Sequence, residues 1–234
     1  MHFTRLGLFL LALLVLPLRP SFAAEAPRAK TGIHYVYLIR HGMYDRDSTA
    51  DDVTGNGLND LGHRQARRIG ERLAALPVRP TLLVSSTLLR ARQTADDMGA
   101  VMQRVPTRDS LLAECTPTSE RADYMTNHTR EDIARCDSNL AAAWTKYMTP
   151  SPDGDRHDVL VCHGNVIRWF VSHVVAGNPA RWHLMDIANG SLTILAVRPD
   201  GTARLVTYSD VGHLPLDEQT WTGRGAGWSA PTMR

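Results

Sequence analysis

The sequence predicts an α/β sandwich built on a mostly parallel sheet, and three observations carry that expectation. Segments of strand character alternate with amphipathic helical segments along most of the chain. The first strand, "IHYVYLI" (33–39), is β-rich and apolar on both faces, as a central strand covered on two sides must be. Two strands, "VYLIRHG" and "VLVCHG", end alike, in a histidine followed at once by glycine.

Ahead of the first strand, "MHFTR" carries one positive charge, "LGLFLLALLVL" (6–16) is unbroken apolar sequence, and "PSFAAEAP" offers Ser21 and Ala23 in small-x-small order. This pattern predicts a secretory signal peptide over 1–23, a leader over 24–32 and a secreted or periplasmic location. The apolar run falls short of the ~20 residues a spanning helix needs, so no stable membrane span is expected after cleavage. The rest reads as one domain over 33–216 with a tail over 217–234. The whole chain of 234 residues, 43% apolar and 21% charged, has enough apolar material for one sizeable core.

After the first strand, 42–58 is charged and Gly-containing and reads as a loop. "LNDLGHRQARRIGERLAAL" (58–76) puts Leu61, Gln65, Ile69, Leu73 and Leu76 on one face of a helix and a cluster of arginines on the other; Asn59 supplies an N-cap and Pro77 an end. "TLLVSS" (81–86) and "TLLRARQTADDMGAVM" (87–102) form the next strand and helix, and "HDVLVCHG" (157–164) and "NVIRWFVSHVV" (165–175) another pair. "SLTILAV" (191–197) and "ARLVTYS" (203–209) read as a hairpin turned at "RPDG".

Cleavage at Ala23 would remove Arg5 and Arg19 and no acid, leaving 24 Lys+Arg against 24 Asp+Glu. A neutral chain lacks the basic surface of a sequence-blind nucleic-acid binder, so no nucleic-acid partner is expected and any anion site must be local. Cys115, Cys136 and Cys162 match no metal-ligand spacing. Cys162 lies in an apolar run and reads as core, whereas Cys115 and Cys136 can pair in an oxidising compartment.

Ligands of parallel α/β sheets sit at the carboxyl ends of strands, where His41 and His163 would share one crevice. Each histidine alone reads as well as a hydrogen-bonded structural residue. A zinc site would want a third ligand at a recognisable spacing, and a serine hydrolase a Gly-x-Ser-x-Gly elbow; neither stands around these histidines. Arginine accompanies them instead: Arg40 adjoins His41, and Arg90 lies on the first turn of the helix after "VSSTLL". Guanidinium forks suit phosphate oxygens, and an imidazole among them suits in-line attack on phosphorus.

"LIRHG" (38–42), "SSTLLRARQTA" (85–95), Glu114 in "LLAEC", "VLVCHG" (159–164) and "NGSLTILAVRPDG" with "SDVGHLP" resemble, in order and spacing, the histidine phosphatase superfamily. Within it, "LNDLGHRQA", "CHGNVIRWFV" and "ANGSLT" are similar to the phosphoglycerate mutase-like branch that holds mitochondrial serine/threonine phosphatases. The resemblance implies a three-layer, phosphoglycerate mutase-like sandwich and a metal-independent phosphatase without a cofactor. It makes His41 the phosphorylated nucleophile, Arg40, Arg90 and His163 the groups that hold the phosphoryl oxygens, and Glu114 the general acid and base. Its Arg-Ala-x-x-Thr-Ala order selects Arg90 over Arg92, while Glu120, Asp123 and Glu131 stand in reserve for Glu114. The acid's task requires a raised pKa, from partial burial or a neighbouring carboxylate.

Departures narrow the reading. Tyr44 stands where sugar-phosphate mutases of the superfamily carry serine, which disfavours a glycolytic mutase, and "RHGMYDR" does not match the acid phosphatase and phytase pattern. His157–Asp158 precedes the strand that bears His163 and is a decoy for that branch's proton donor. The branch the chain resembles has serine where Gly42 stands and alanine where Gly164 stands, so its fine substrate preference does not carry over. "CTPTSERADYMTNHTREDIARCDS" (115–138) is read as a lid rimming the pocket, and His213 as structural. The expected substrate is a phosphorylated protein side chain, or else a small or cell-envelope sugar phosphate; a non-catalytic phospho-ligand module and a membrane-tethered scaffold are the rival classes.

Overall fold

The computed structural model describes residues 32–51 and 54–221; the predicted signal peptide, the leader up to 31 and the tail beyond 221 lie outside the described residues. The strands are β1 (His34–Arg40), β2 (Leu82–Ser85), β3 (Thr107–Arg108), β4 (Arg156–Cys162), β5 (Leu192–Val197) and β6 (Ala203–Asp210). The helices are α1 (Asp60–Ala74), α2 (Leu89–Met102), α3 (Arg130–Tyr147) and α4 (Gly164–Ala176). The sheet order is β3-β2-β4-β1-β5-β6; the first four strands run parallel, and β5 and β6 add an antiparallel hairpin beside β1.

Alternation along each strand separates the two faces. Val36, Leu38, Val84, Leu160 and Cys162 pack with α3 and α4, through Leu140, Ala143, Ile167 and Phe170. Tyr37, Ile39, Leu83, Val159 and Val161 pack with α1 and α2, through Ile69, Leu73, Ala95 and Met98. This is the expected three-layer sandwich, and the double burial explains why β1 and β4 are apolar on both faces.

Helix ends follow local chemistry. The Asn59 side chain accepts the Gly62 N–H at the start of α1, and α4 stops at Gly177, whose φ of 61° glycine adopts without a Cβ penalty. The loop after β1 lies directly on α1: a Cβ on Gly62 would stand 2.0 Å from the Met43 carbonyl oxygen, so only glycine permits this approach.

Helix α3 was not expected. The reading of 115–138 as a lid missed that its second half begins this helix, although the signals were present: Thr129 caps the Asp132 N–H, and Cys136, Leu140, Ala143 and Tyr147 recur at helical spacing on the buried side. Cys115 and Cys136 are joined in a disulfide that ties the chain just after Glu114 to α3, and Cys162 is buried core. The Asp158 carboxylate is buried at the opposite end of β4, where it accepts from His34 at 3.0 Å and pairs with Arg156, away from the strand ends that carry the histidines. His213 bonds the Gly190 carbonyl at 3.0 Å and Arg72 holds Asp210, a bracing role for the "SDVGHLP" segment.

Candidate active site

Strand order brings the two histidines together. Parallel strands β1 and β4 are neighbours with Arg40 opposite Cys162, so the next residue of each leaves the sheet at the same level. The His41 N–H bonds the Cys162 carbonyl at 3.0 Å, and the two rings lie 5.1 Å apart between centroids. On the other side of β4, β2 delivers Ser86, whose hydroxyl lies 2.8 Å from Nε2 of His163.

Nδ1 of His41 lies 2.8 Å from the Gly42 carbonyl oxygen, a contact that requires a proton on Nδ1. Nε2 therefore carries the lone pair, and Nε–H of Arg90 points at it from 3.2 Å. Burial, reinforced by the Arg40 and Arg90 cations, pushes the imidazole well below its usual range, so it is neutral at physiological pH. A neutral ring with a fixed tautomer and its free nitrogen in an arginine-lined crevice is a competent nucleophile.

Arg40 is buried, and burial pulls it down to about 10, which leaves it cationic at neutral pH; Nη1 donates to the Ile187 carbonyl at 2.5 Å. Arg90 sits on the first turn of α2, while Arg92, two residues on, is exposed. His163 is fully buried, and burial with the neighbouring His41, Arg90 and Arg40 lowers its pKa far below normal. Ser86 Oγ accepts the Leu88 N–H, and where it gives its own proton to His163 Nε2 the proton of the imidazole sits on Nδ1. That Nδ1 is buried with no hydrogen-bond partner among the described residues, and in this tautomer it is a donor suited to an incoming oxygen.

Glu114 reaches the same crevice from the loop before the disulfide. Oε1 accepts the Asn165 N–H at the start of α4 at 3.1 Å, and the Asn165 side chain donates to the Cys115 carbonyl at 2.8 Å. Burial raises the carboxyl above the ordinary range against the pull of Arg90, Arg168 and Arg40. Of the two causes expected for that rise, burial is the leading one. The reserve donors are elsewhere: Glu120 binds Arg181 and Asn178, Asp123 binds Arg121, and Glu131 is exposed in the first turn of α3.

A cavity of 340 Å³ opens over Arg90 and Glu114, lined also by Arg46, Asp47, Asp51 and Leu88. Most of this lining comes from the loop after β1; among the described residues, the segment 115–138, read as a lid, supplies none of it. Tyr44 faces His41 edge-on, with ring centroids 5.5 Å apart, and its own ring lies 5.2 Å from the Arg90 guanidinium.

Residues that sequence reasoning passed over complete the site. Arg168 lies one helical turn beyond Gly164, donates to the Gly164 and Met185 carbonyls and to Oδ1 of Asn165, and stacks 4.8 Å from Trp182. It had a signal: an arginine inside the otherwise apolar "NVIRWFV". Thr94, whose hydroxyl accepts the Gly42 N–H at 3.0 Å, was visible only as part of the family motif.

A mostly parallel sandwich with two strand-end histidines, two arginines and a desolvated glutamate defines a phosphoryl-transfer site of the histidine type. The chain matches the histidine phosphatase superfamily (branch 1) over residues 36–211 and belongs to that family; it is a phosphoric monoester hydrolase. Among its relatives, the mitochondrial serine/threonine-protein phosphatase PGAM5 of Homo sapiens is 31% identical over 201 residues, covering 82% of this chain and 68% of that protein. The corresponding Caenorhabditis elegans protein is 30% identical over 202 residues, with the same coverage. Of solved structures, a phosphoglycerate mutase from Bacillus anthracis superposes with a TM-score of 0.61 at 14% identity, covering 79% of this chain and 96% of that one. A mycobacterial glucosyl-3-phosphoglycerate phosphatase gives 0.55 at 23% identity, covering 76% and 99%; these two likenesses bear on the fold alone.

Proposed function

We propose that this protein hydrolyses phosphomonoesters without a metal, through a phosphohistidine at Nε2 of His41, and that its substrates are phosphorylated serine or threonine side chains of proteins. The observation that carries the chemistry is the fixed, neutral tautomer of His41, with its lone pair facing the Arg90 guanidinium. Nε2 attacks phosphorus in line while the bond to the ester oxygen breaks, and the leaving oxygen takes the proton of Glu114. The Glu114 carboxylate then takes a proton from water, the resulting oxygen attacks the phosphohistidine, and cleavage of the N–P bond releases phosphate and restores His41. Arg40, Arg90 and Nδ1–H of His163 balance the charge on the transferring oxygens. The choice of a protein substrate is supported by similarity to serine/threonine-protein phosphatases at 30 and 31% identity, and Tyr44 in place of the mutase serine disfavours a glycolytic mutase.

Hydrolysis of p-nitrophenyl phosphate and of phosphoserine and phosphothreonine peptides, each with and without a chelator, tests this reading. Equal rates with and without chelator, and peptide turnover, are expected; dependence on an added divalent cation would overturn the metal-free mechanism, and hydrolysis of small sugar phosphates alone would overturn the protein substrate.

We also propose export, on the charged, apolar and small-residue order of residues 1–23. Mass spectrometry of the protein from its native host is expected to find a chain beginning at Ala24. A retained Met1 would favour the tethered scaffold.

A further inference from the structure

The nucleophile loop is held by two buried amides. Oε1 of Gln65 accepts the Met43 N–H at 2.8 Å. Nδ2 of Asn189 donates to the His41 carbonyl at 3.3 Å and reaches the Gly42 carbonyl at 3.5 Å. Both side chains are 0% exposed, so each depends on protein partners for its whole hydrogen-bonding capacity. An amide reversed end for end would face the Met43 N–H with its own NH2, or the His41 carbonyl with its own oxygen; something must set its direction.

That direction is set from the far end of the chain. Nε2 of Gln65 donates to the Glu218 carbonyl at 2.7 Å and to the Thr220 hydroxyl at 3.0 Å. The Thr220 hydroxyl in turn donates to Oδ1 of Asn189 at 3.2 Å, and the Asn189 N–H bonds the Thr220 carbonyl at 2.8 Å. The Glu218 carbonyl, which can only accept, fixes the direction of Gln65, and Thr220 Oγ1, taking a Gln65 N–H, turns its own proton to Oδ1 of Asn189 and so carries that direction to the second amide. The segment is fastened on α1 by the Glu218 carboxylate, which pairs with Arg64 and Arg68. The segment just past residue 216, where the domain was expected to end, thus bonds to the two amides that hold the catalytic loop.

We infer that Thr220 is a positioning residue for His41: its hydroxyl carries the direction of Gln65 to Asn189, and the two amides hold the 41–43 backbone so that the Gly42 carbonyl keeps the proton of His41 on Nδ1. Thr220 touches no reacting atom, and the inference rests on the phosphatase reading above. Thr220→Val keeps the shape and removes the hydroxyl; Thr220→Ser keeps the hydroxyl. The valine enzyme is expected to lose roughly tenfold or more in kcat, within the ~100-fold that an ångström's misplacement costs, with KM little changed and serine restoring the rate. A long-range 1H–15N spectrum is expected to show His41 protonated on Nδ1 in the wild type and in Thr220→Ser, and a mixture of tautomers in Thr220→Val.

Two outcomes overturn the inference. One is a valine enzyme with wild-type kcat per folded molecule and an unchanged His41 spectrum. The other is a serine enzyme as impaired as the valine one, since the hydroxyl would then not be the operative group. If Thr220→Val does not fold, Thr220→Ala, measured in the same way, takes its place. A wild type without phosphatase activity would count against the proposed function instead, and the tautomer measurement would still decide the positioning role.

Discussion

Replacing His41 by alanine is expected to lower kcat by roughly 10^4-fold or more, the scale on which loss of a covalent nucleophile is felt when no other group can take its place. The neighbouring imidazole is not expected to substitute: His163 turns Nε2 toward Ser86, and where it takes the Ser86 proton its Nδ1 is a protonated donor. Brief mixing with 32P-labelled substrate, followed by denaturation, is expected to trap acid-labile, base-stable label in the wild type and none in His41→Ala. Arg40, Arg90 and His163 remain in the variant, so inorganic phosphate is still expected to bind in a calorimetric titration. Turnover that survived the substitution would remove His41 as nucleophile. Binding without turnover in the wild type itself would make the protein a phospho-ligand module.

Glu114→Gln should separate substrates by their leaving groups. A serine or threonine alkoxide needs a proton as the P–O bond breaks, so loss of the acid is expected to cost ~10²–10⁴-fold in kcat/KM on a phosphoserine peptide. p-Nitrophenolate leaves without that help, and the transfer step on p-nitrophenyl phosphate is expected to fall by about tenfold or less. The same variant lacks the base for the second step, so p-nitrophenol should appear as a burst stoichiometric with enzyme, and phosphohistidine should accumulate. Equal losses on both substrates, with no burst, would move the acid role to another group.

The pH profile gives an independent check. With the peptide, kcat/KM of the wild type should decline as pH rises through the pKa of Glu114, because the acid must hold its proton; burial places that limb above the ordinary carboxylate range. The acid limb reports protonation of His41, which burial and two arginines place below the ordinary imidazole range. Glu114→Gln is expected to abolish the alkaline limb and leave the acid limb. Ionisation of the substrate's phosphate, with a pKa of about 6, is common to both enzymes and cancels in the comparison. An alkaline limb unchanged in the variant would contradict the assignment.

Much of the site was legible because strand-end chemistry is local. "LIRHG" and "VLVCHG" place a histidine where a doubly buried strand leaves the sheet, and the helix after "VSSTLL" carries Arg90 on its first turn; neither fact requires knowledge of distant residues. Helix α3 was missed for the opposite reason: its cap and apolar spacing are sound, but a polar, charged stretch precedes them, and Cys136 and Leu140 acquire meaning only in the core they share with Leu160 and Phe170 on one face of the sheet. Gln65 was read as one more member of an apolar face. Its amide bonds residues 153 and 155 positions away, which no window of sequence contains.

The sequence by itself determined the alternation of strands and helices, the apolar core and the types of residue that chemistry would use, because periodicity and turn composition are short-range properties. Tertiary structure alone decided that β1 lies beside β4 with Arg40 opposite Cys162, which sets the two imidazoles 5.1 Å apart. It also decided the protonation states. Desolvation depends on what surrounds a group in space: burial keeps His41 neutral and Glu114 protonated to higher pH, and the Gly42 carbonyl selects the tautomer.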